Sequence, residues 1–477
     1  MRRMLLLLAA ALAGCSTLQS PESLFTPSQH VGPGSSAAPG VPWVAPASAV
    51  PPAVEKQITA SLPADVHPGS AITLAQAIDV ALANNPDTRS TWFATRAAEA
   101  ALGSRRAAYL PEIDLDASLA RGRSAGSKGP VVETTYGTSL ALTYLLFDFG
   151  GRAAQVEEAR QSLIATAFSQ NQTIQDVVLR TQQAYYGYLD AKALVAAQAA
   201  TVRERQTGLD AADARHHSGV ATIADVLQAR TALSQAQLAL ESFQGSLRSA
   251  EGTLSNAMGL PATARFEAGD LPTDLPVETV SQSVDQLIAQ AEAARPDLAA
   301  SRAAVLNARA RVREVRSQGL PTVGLSSGFG RSFVGTPGST SLTTYSAGVG
   351  LRFPLFTGFR NTYDIRQAEA IAQATQEDTR GLADLVGLQV WNSYYALQTA
   401  TQRVHTSRDL LASAQQSVDV EAGRYKAGVG SIIDLLTAEA ALENARAQEV
   451  QSRADWLVAV AQLAHDTGML GPLQQGK

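Results

Sequence analysis

The chain has 477 residues, of which 45% are hydrophobic, 17% charged and 6% aromatic. Its net charge of −5 gives nothing that favours nucleic acid as a partner. Length alone allows two or three domains, but long stretches of Ala, Gln and Leu point to extended helices rather than a globular α/β enzyme. There is no zinc-binding HExxH helix, nucleophile elbow, phosphate loop or His/Cys cluster. The expectation is a protein that is not an enzyme and that carries no cofactor or metal.

The chain begins MRRMLLLLAAALAGCSTLQS. Arg2 and Arg3 precede an apolar run from Met4 to Ala13, and small residues precede Cys15. That pattern predicts a signal peptide over residues 1–14, to be set apart from the fold. The run is too short for a membrane-spanning helix, which takes about 20 residues. The LAGC ending at Cys15 resembles a bacterial lipoprotein signal. The resemblance implies cleavage before Cys15, a diacylglycerol on its sulfur and an acyl chain on its amine. Ser16, where an Asp would retain the protein inside, fits sorting to the outer membrane by the same resemblance. Cys15 is the only cysteine, so no intrachain disulfide can form. Residues 15–70 are rich in Pro, Ser, Ala and Gly and read as a lipid-anchored tether. No other apolar run is long enough for a helical span, so a crossing of the membrane must use β-strands.

The rest of the chain says everything twice. NNPDTRS at Asn84 is echoed by ARPDLAAS at Ala294, and YLPEIDL at Tyr109 by GLPTVGL at Gly319. TTYGTSLAL at Thr134 matches TTYSAGVGL at Thr343, and LLFDFGGR at Leu145 matches PLFTGFR at Pro354. Tyr185-Tyr186 match Tyr394-Tyr395, SGVATIAD matches AGVGSIID, and Gly259 matches Gly468. The offset stays near about 210 residues, which marks an internal repeat. The first copy covers 71–260, a linker 261–283, the second copy 284–470 and a tail 471–477.

Each copy opens with a helix that ends at a proline, Pro111 or Pro321, which can open a strand but not continue a helix. Two strands follow, near 112–121 and 134–148 in the first copy and near 322–331 and 343–356 in the second. Tyr136, Thr138, Leu140, Leu142, Tyr144 and Leu146 alternate with small or polar residues, as do Tyr345, Ala347, Val349, Leu351 and Phe353. Aromatics near the strand ends (Tyr136, Tyr144, Phe147, Phe149, Phe353, Phe356 and Phe359) suit a membrane-interface girdle, with core packing as the alternative for some.

A proline-free stretch then runs from Gly151 to His216, and another from Phe359 to Tyr425. As a helix each would span roughly 100 Å at about 1.5 Å per residue, and so needs a partner along its side. The returning segment supplies it. Val226, Leu233, Leu240, Leu247 and Leu254 recur at heptad spacing, with Ala229, Ala236, Phe243, Ala250 and Ala257 between them. The second copy keeps Leu435/Ala438, Leu442/Ala445 and Trp456/Ala459, with Glu449 interrupting the seam. The hairpins cover about 150–258 and 359–468. The fold class is therefore mainly α with a membrane β-barrel portion. Four strands cannot close a barrel, whereas three chains would supply twelve strands and six hairpins, which predicts a homotrimer.

The doubled order of YLPEIDL, LFDFGGR, GLP, PLFTGFR and the two Gly-Val…Asp-Leu phrases resembles the outer-membrane efflux proteins, the TolC/OprM-like channels. With Cys15, the resemblance is to their lipoprotein branch. It covers nearly all of Ile72 to Gly468 and implies a trimeric exit duct of a tripartite efflux or type I secretion system. The β-barrel would sit in the outer membrane of a Gram-negative bacterium and the helical barrel in the periplasm. The tips would meet a periplasmic adaptor bound to an inner-membrane transporter. Gly219-Val220 and Gly428-Val429 become adaptor-contacting turns, although tolerance of positive φ alone also explains the glycines. By the same resemblance Asp434 faces the narrowing pore and Asp225 pairs with Tyr425 to hold the periplasmic gate. A solvated acid capping the first turn of a helix is the alternative for both acids. Thr437 stands where TolC has a second acid and Gly430 where it has an arginine, so a second charged ring and one salt link are not implied. His216 and His217, adjacent on a helix, point apart and make a poor shared ion site. The rival reading is a lipid-anchored periplasmic adaptor, which has one hairpin flanked by lipoyl-like β segments rather than two hairpins preceded by amphipathic strands.

Overall fold

The computed structural model describes residues 39–40, 71–126, 129–264, 266–277, 282–335 and 340–470. The expected signal peptide, Cys15, all but residues 39–40 of the tether, and the 471–477 tail lie outside them. Strand β1 (Ala71–Ile72) leads into helices α1 (Leu74–Asn84) and α2 (Pro86–Arg106). Strands β2 (Glu112–Gly126) and β3 (Gly129–Phe147) precede the long helix α3 (Gly151–His217) and the returning α4 (Ile223–Ala257). After β4 (Glu267–Ala268) the order recurs: α5 (Val284–Ala294), α6 (Pro296–Ser317), β5 (Thr322–Gly335), β6 (Thr340–Arg352), α7 (Arg360–Lys426) and α8 (Ile432–Asp466).

The repeat extends to local chemistry. Thr73 and Ser283 each close a capping box with a glutamine three residues on, Gln76 and Gln286. Pro86 and Pro296 open the next helix at a position that needs no N–H. Gly259 and Gly468 end the returning helices with φ of +72° and +74°. A Cβ at Gly259 would lie 2.8 Å from the Asn84 backbone, so this site needs glycine for space as well as for φ.

The four long strands form one antiparallel sheet in the order β2-β3-β5-β6. The register sets Leu115 opposite Leu140, Leu140 opposite Phe329, and Phe329 opposite Tyr345. One face is thus apolar and exposed: Leu119 is 76% and Tyr345 87% accessible. All four strands run longer at the loop end than the sequence suggests, because the apolar alternation fades there while main-chain pairing continues. Strand β6 stops at Arg352 rather than near 356, since Pro354 has no N–H to extend a ladder.

In the helical part, α3 pairs with α4 and α7 with α8, while α8 lies along α3. Val226, Ala229, Leu233, Ala236, Leu254 and Ala257 are buried, whereas Leu240, Phe243, Leu247 and Ala250 are half-buried. Leu435, Ala438, Leu442, Ala445 and Trp456 are buried in the second hairpin. Glu449, which interrupts that seam, is paired at 2.8 Å with Arg453 one turn on. The hairpins are joined sideways by charge: Arg205 on α3, only 5% exposed, bonds Glu439 and lies 3.5 Å from Glu443, both on α8. Arg446 clasps Glu204 through both nitrogens at 2.7 and 3.0 Å. A buried charge that loses its partner is strongly destabilising, so Arg205 fixes the lateral register of α3 and α8, whereas the partly exposed Arg446–Glu204 pair adds little.

Farther along, His465 Nε2 donates to Asp176 at 2.8 Å and Nδ1 to Asp466 at 3.0 Å. Burial opposes the imidazolium, but the hydrogen bonds and charges of Asp176 and Asp466 outweigh it and raise the pKa from 6.5 to about 9. A raised folded-state pKa gives stability that is full below about pH 6.5 and lost as pH rises through about 9. The shift corresponds to roughly 3 kcal/mol. In thermal melts, His465→Gln should lower the midpoint most below pH 6.5, and the gap to wild type should close above pH 9. A pH-independent gap would refute this assignment.

Candidate functional site

The repeated Gly-Val phrases lie at the far ends of the two hairpins. Gly219 and Gly428 share a φ of +78°, so each turn needs a residue that tolerates the left-handed region. Val220 N–H donates to Arg215 O at 3.0 Å and Val429 N–H to Arg424 O at 3.0 Å, which closes each helix end. Val220 is 66% and Val429 71% exposed, with Ile223, Leu227 and Ile433 exposed beside them. Two apolar knobs therefore project from the tips.

The two tip acids differ. Asp225 Oδ2 accepts the Thr222 N–H at 2.9 Å, and Thr222 Oγ1 accepts the Asp225 N–H at 3.3 Å, a complete capping box. Ser431 caps α8 by accepting the Asp434 N–H at 3.1 Å. The Asp434 carboxylate is exposed and has no hydrogen bond or ion pair among the described residues. The Asp225–Tyr425 bond that the family resemblance implied is not formed within the chain. The Tyr425 hydroxyl is buried without a hydrogen-bond partner among the described residues, because Asp225 turns back to its own helix end. Burial raises the Tyr425 pKa; Arg215 opposes that and Asp225 adds to it.

Arg215 instead joins the tips. Its Nη1 donates to Tyr425 O at 2.9 Å, and its guanidinium lies 4.6 Å from the Tyr425 ring centre. Sequence reading missed this residue. Its only signal is a cation one turn before a tip, a common place for a charge at a helix C-terminus. His216 and His217 bond separate backbone carbonyls, Ala221 O at 3.0 Å and Asp213 O at 2.8 Å.

The sheet supplies a second candidate surface. Opposite its apolar face, Glu112, Asp114, Asp116, Glu133 and Arg352 alternate with small residues. In a closed barrel that polar face is the lumen. These acids were also missed, although period-two alternation places them there. No helix among the described residues is long and apolar enough to cross a membrane.

A family model described as outer membrane efflux protein matches residues 77–260 and 287–469. The chain belongs to the outer membrane efflux protein family. Protein CyaE of Bordetella pertussis is 30% identical over 412 residues, covering 84% of this chain and 85% of CyaE. Outer membrane efflux protein BepC of Brucella suis is 27% identical over 411 residues, covering 85% and 87% of the two chains. The solved outer-membrane channel OprN shares the fold, with a TM-score of 0.74 at 19% identity, over 87% of this chain and 96% of that one. The two family matches coincide with the two structural repeats, each spanning a strand pair and a hairpin.

Proposed function

We propose that this efflux-family chain is the exit duct of a tripartite efflux or type I secretion system, built as a homotrimer and with no catalytic role of its own. Its barrel lies in the outer membrane and its helical cylinder in the periplasm, with Cys15 carrying a lipid anchor. The exposed knobs at Gly219-Val220 and Gly428-Val429 dock a periplasmic adaptor that holds an inner-membrane transporter.

The observation that carries the reading is an incomplete sheet whose free edges fit each other. Within the chain, β3 of the first repeat pairs with β5 of the second. Carrying that pairing forward by the repeat sets β6 against β2 of the next copy. Val349 then falls opposite Leu119 and Leu351 opposite Ala117 on the apolar face. Arg352 falls opposite Asp116 on the lumen face. A slip of one residue would set apolar against polar at every position. Three copies supply twelve strands, enough to close a barrel around an open lumen. The same closure gathers three unpaired Asp434 carboxylates at the periplasmic mouth. Such a ring attracts cations, and its mutual repulsion favours opening unless the tips are held. The Arg215–Tyr425 contact is the hold present within each chain.

Purified protein in a planar bilayer should give small openings that grow in Arg215→Ala, which frees the tips, and become rarer and less cation-selective in Asp434→Ala, which removes the repelling ring. Absence of conductance would sink the duct reading, and unchanged openings in both variants would sink the gate alone. In a Cys15→Ala background, Leu119→Cys/Val349→Cys should oxidise to a covalent trimer on denaturing gels, whereas Leu119→Cys/Gly350→Cys should not. Cross-linking of the second pair but not the first would show the register to be wrong with the trimer intact. Wild-type cells should incorporate labelled palmitate into the protein, and label persisting in Cys15→Ala would rule out the anchor at that residue.

A further inference from the structure

Arginines enter the apolar face of the sheet towards its loop end, among the aromatic pair Tyr136 and Phe333. On β2 the residues that share the face of Leu115 and Leu119 continue to Arg121 and Arg123. On β5, Leu325 and Phe329 continue to Arg331. Arg121 and Arg331 are repeat equivalents, following Leu119 and Phe329 by the same step. Their cross-strand neighbours carry no charge: Thr134 beside Arg121, Val132 beside Arg123, Thr138 and Thr343 beside Arg331. Every acid of the four strands, Glu112, Asp114, Asp116 and Glu133, is on the opposite face. The three arginines are exposed and form no ion pair among the described residues. Arg331 lies 5.2 Å from the Phe333 ring centre, and that ring stacks on Tyr136 at 5.1 Å.

Height gives these charges a meaning. Arg121 and Arg331 stand about nine residues past the periplasmic starts of their strands, roughly 30 Å along the chain at about 3.3 Å per residue. With the usual barrel tilt of about 40°, that is roughly 23 Å of membrane depth, close to the ~25 Å apolar band of an outer-membrane barrel. The arginines thus reach the level where hydrocarbon gives way to head groups on the outer side. A guanidinium there, without a carboxylate, fits the fork geometry of a phosphate.

We propose that Arg121, Arg123 and Arg331 form a girdle on the outer rim of the barrel that binds the phosphates of an anionic outer-leaflet glycolipid. This rests on the exit-duct reading, which puts the apolar face in lipid. The ligand is lipid-borne phosphate: the acyl chains pack on Leu119, Phe329 and Tyr345 while the arginines take the head group.

The test uses full-length protein reconstituted in phosphatidylcholine vesicles, with or without a minor fraction of diphosphorylated lipid A, and measures lipid A retained on repurification at low salt. Wild type should retain it. Each arginine beside an anionic lipid surface contributes roughly fivefold, so Arg121→Gln/Arg123→Gln/Arg331→Gln should bind about 100-fold more weakly. Should the triple variant fail to assemble, Arg121→Gln and Arg331→Gln alone should each lose about fivefold. Equal retention by wild type and variants, or equal retention of dephosphorylated lipid A by wild type, overturns the proposal. Displacement by inorganic phosphate at matched phosphate concentration would make this a free-anion site and overturns it too. Conductance of the same preparations separates the two readings: normal openings with unchanged lipid A binding refute the girdle only, and a wild type that never conducts refutes the duct.

Discussion

In a bilayer core, no water can satisfy an unpaired backbone N–H or C=O. That constraint governs this chain, because its sheet has four strands and therefore two open edges, at β2 and β6. The sheet also exposes a broad apolar face, with Leu115, Leu119, Tyr345, Val349 and Leu351 all more than half accessible. Neither feature is tolerable in a solitary chain. Both resolve together when edges pair between copies, since the ladder then closes and the apolar face becomes the outside of a barrel.

The same vacancy recurs in the helices. Helix α6 lies between α3 of the first repeat and α7 of its own. Its counterpart α2 packs on α3, and by the repeat its other side belongs against α7 of another copy. The surfaces left over agree: Phe93 on α2 and Tyr363, Leu388 and Trp391 on α7 are exposed. Helices of 67 residues hold their shape only through lateral contacts. Within the chain those contacts combine small residues in the hairpin seams with buried polar clasps between hairpins. The seams are close-packed and tolerant of sliding, whereas Arg205 between Glu439 and Glu443 is not, because a shift would strand a buried charge.

Much of this architecture could be read from the sequence, since repetition turns weak signals into strong ones. A lone Leu-Pro or Gly-Val step predicts little, but the same steps in the same order twice define a unit. Strand faces were legible because period-two alternation is a local property. The tips were less so. Asp225 and Asp434 sit in near-identical phrases, yet one side chain closes a cap and the other stays free. The difference lies in whether a short carboxylate reaches back to the N-cap amide, which spacing does not reveal. Arg215 was missed for another reason: its partner is 210 residues away and is engaged through a backbone carbonyl and a ring face, neither of which leaves a charge pattern.

The places where the repeat fails are informative because a strict repeat would build a sixfold ring. Arg424 is the counterpart of Arg215, but it turns to Glu421 on its own helix at 2.8 Å and does not cross to another hairpin. The counterpart of Tyr425 is His216, bonded to the adjacent turn rather than to an arginine. The two tips of one chain are therefore clasped, and the residues that would repeat the clasp between chains are occupied elsewhere. In the proposed trimer, six similar hairpins would then form three bound pairs. Such a ring would loosen between its pairs while each stays whole, so on the proposed trimer the Arg215–Tyr425 contact and the free acid Asp434 would belong to different parts of the motion. The sheet shows no comparable break, since the strand registers of the two repeats superimpose along their length. On the proposed trimer, near-sixfold regularity at the membrane end and threefold pairing at the tip would make a tube fixed where it meets lipid and adjustable at its mouth.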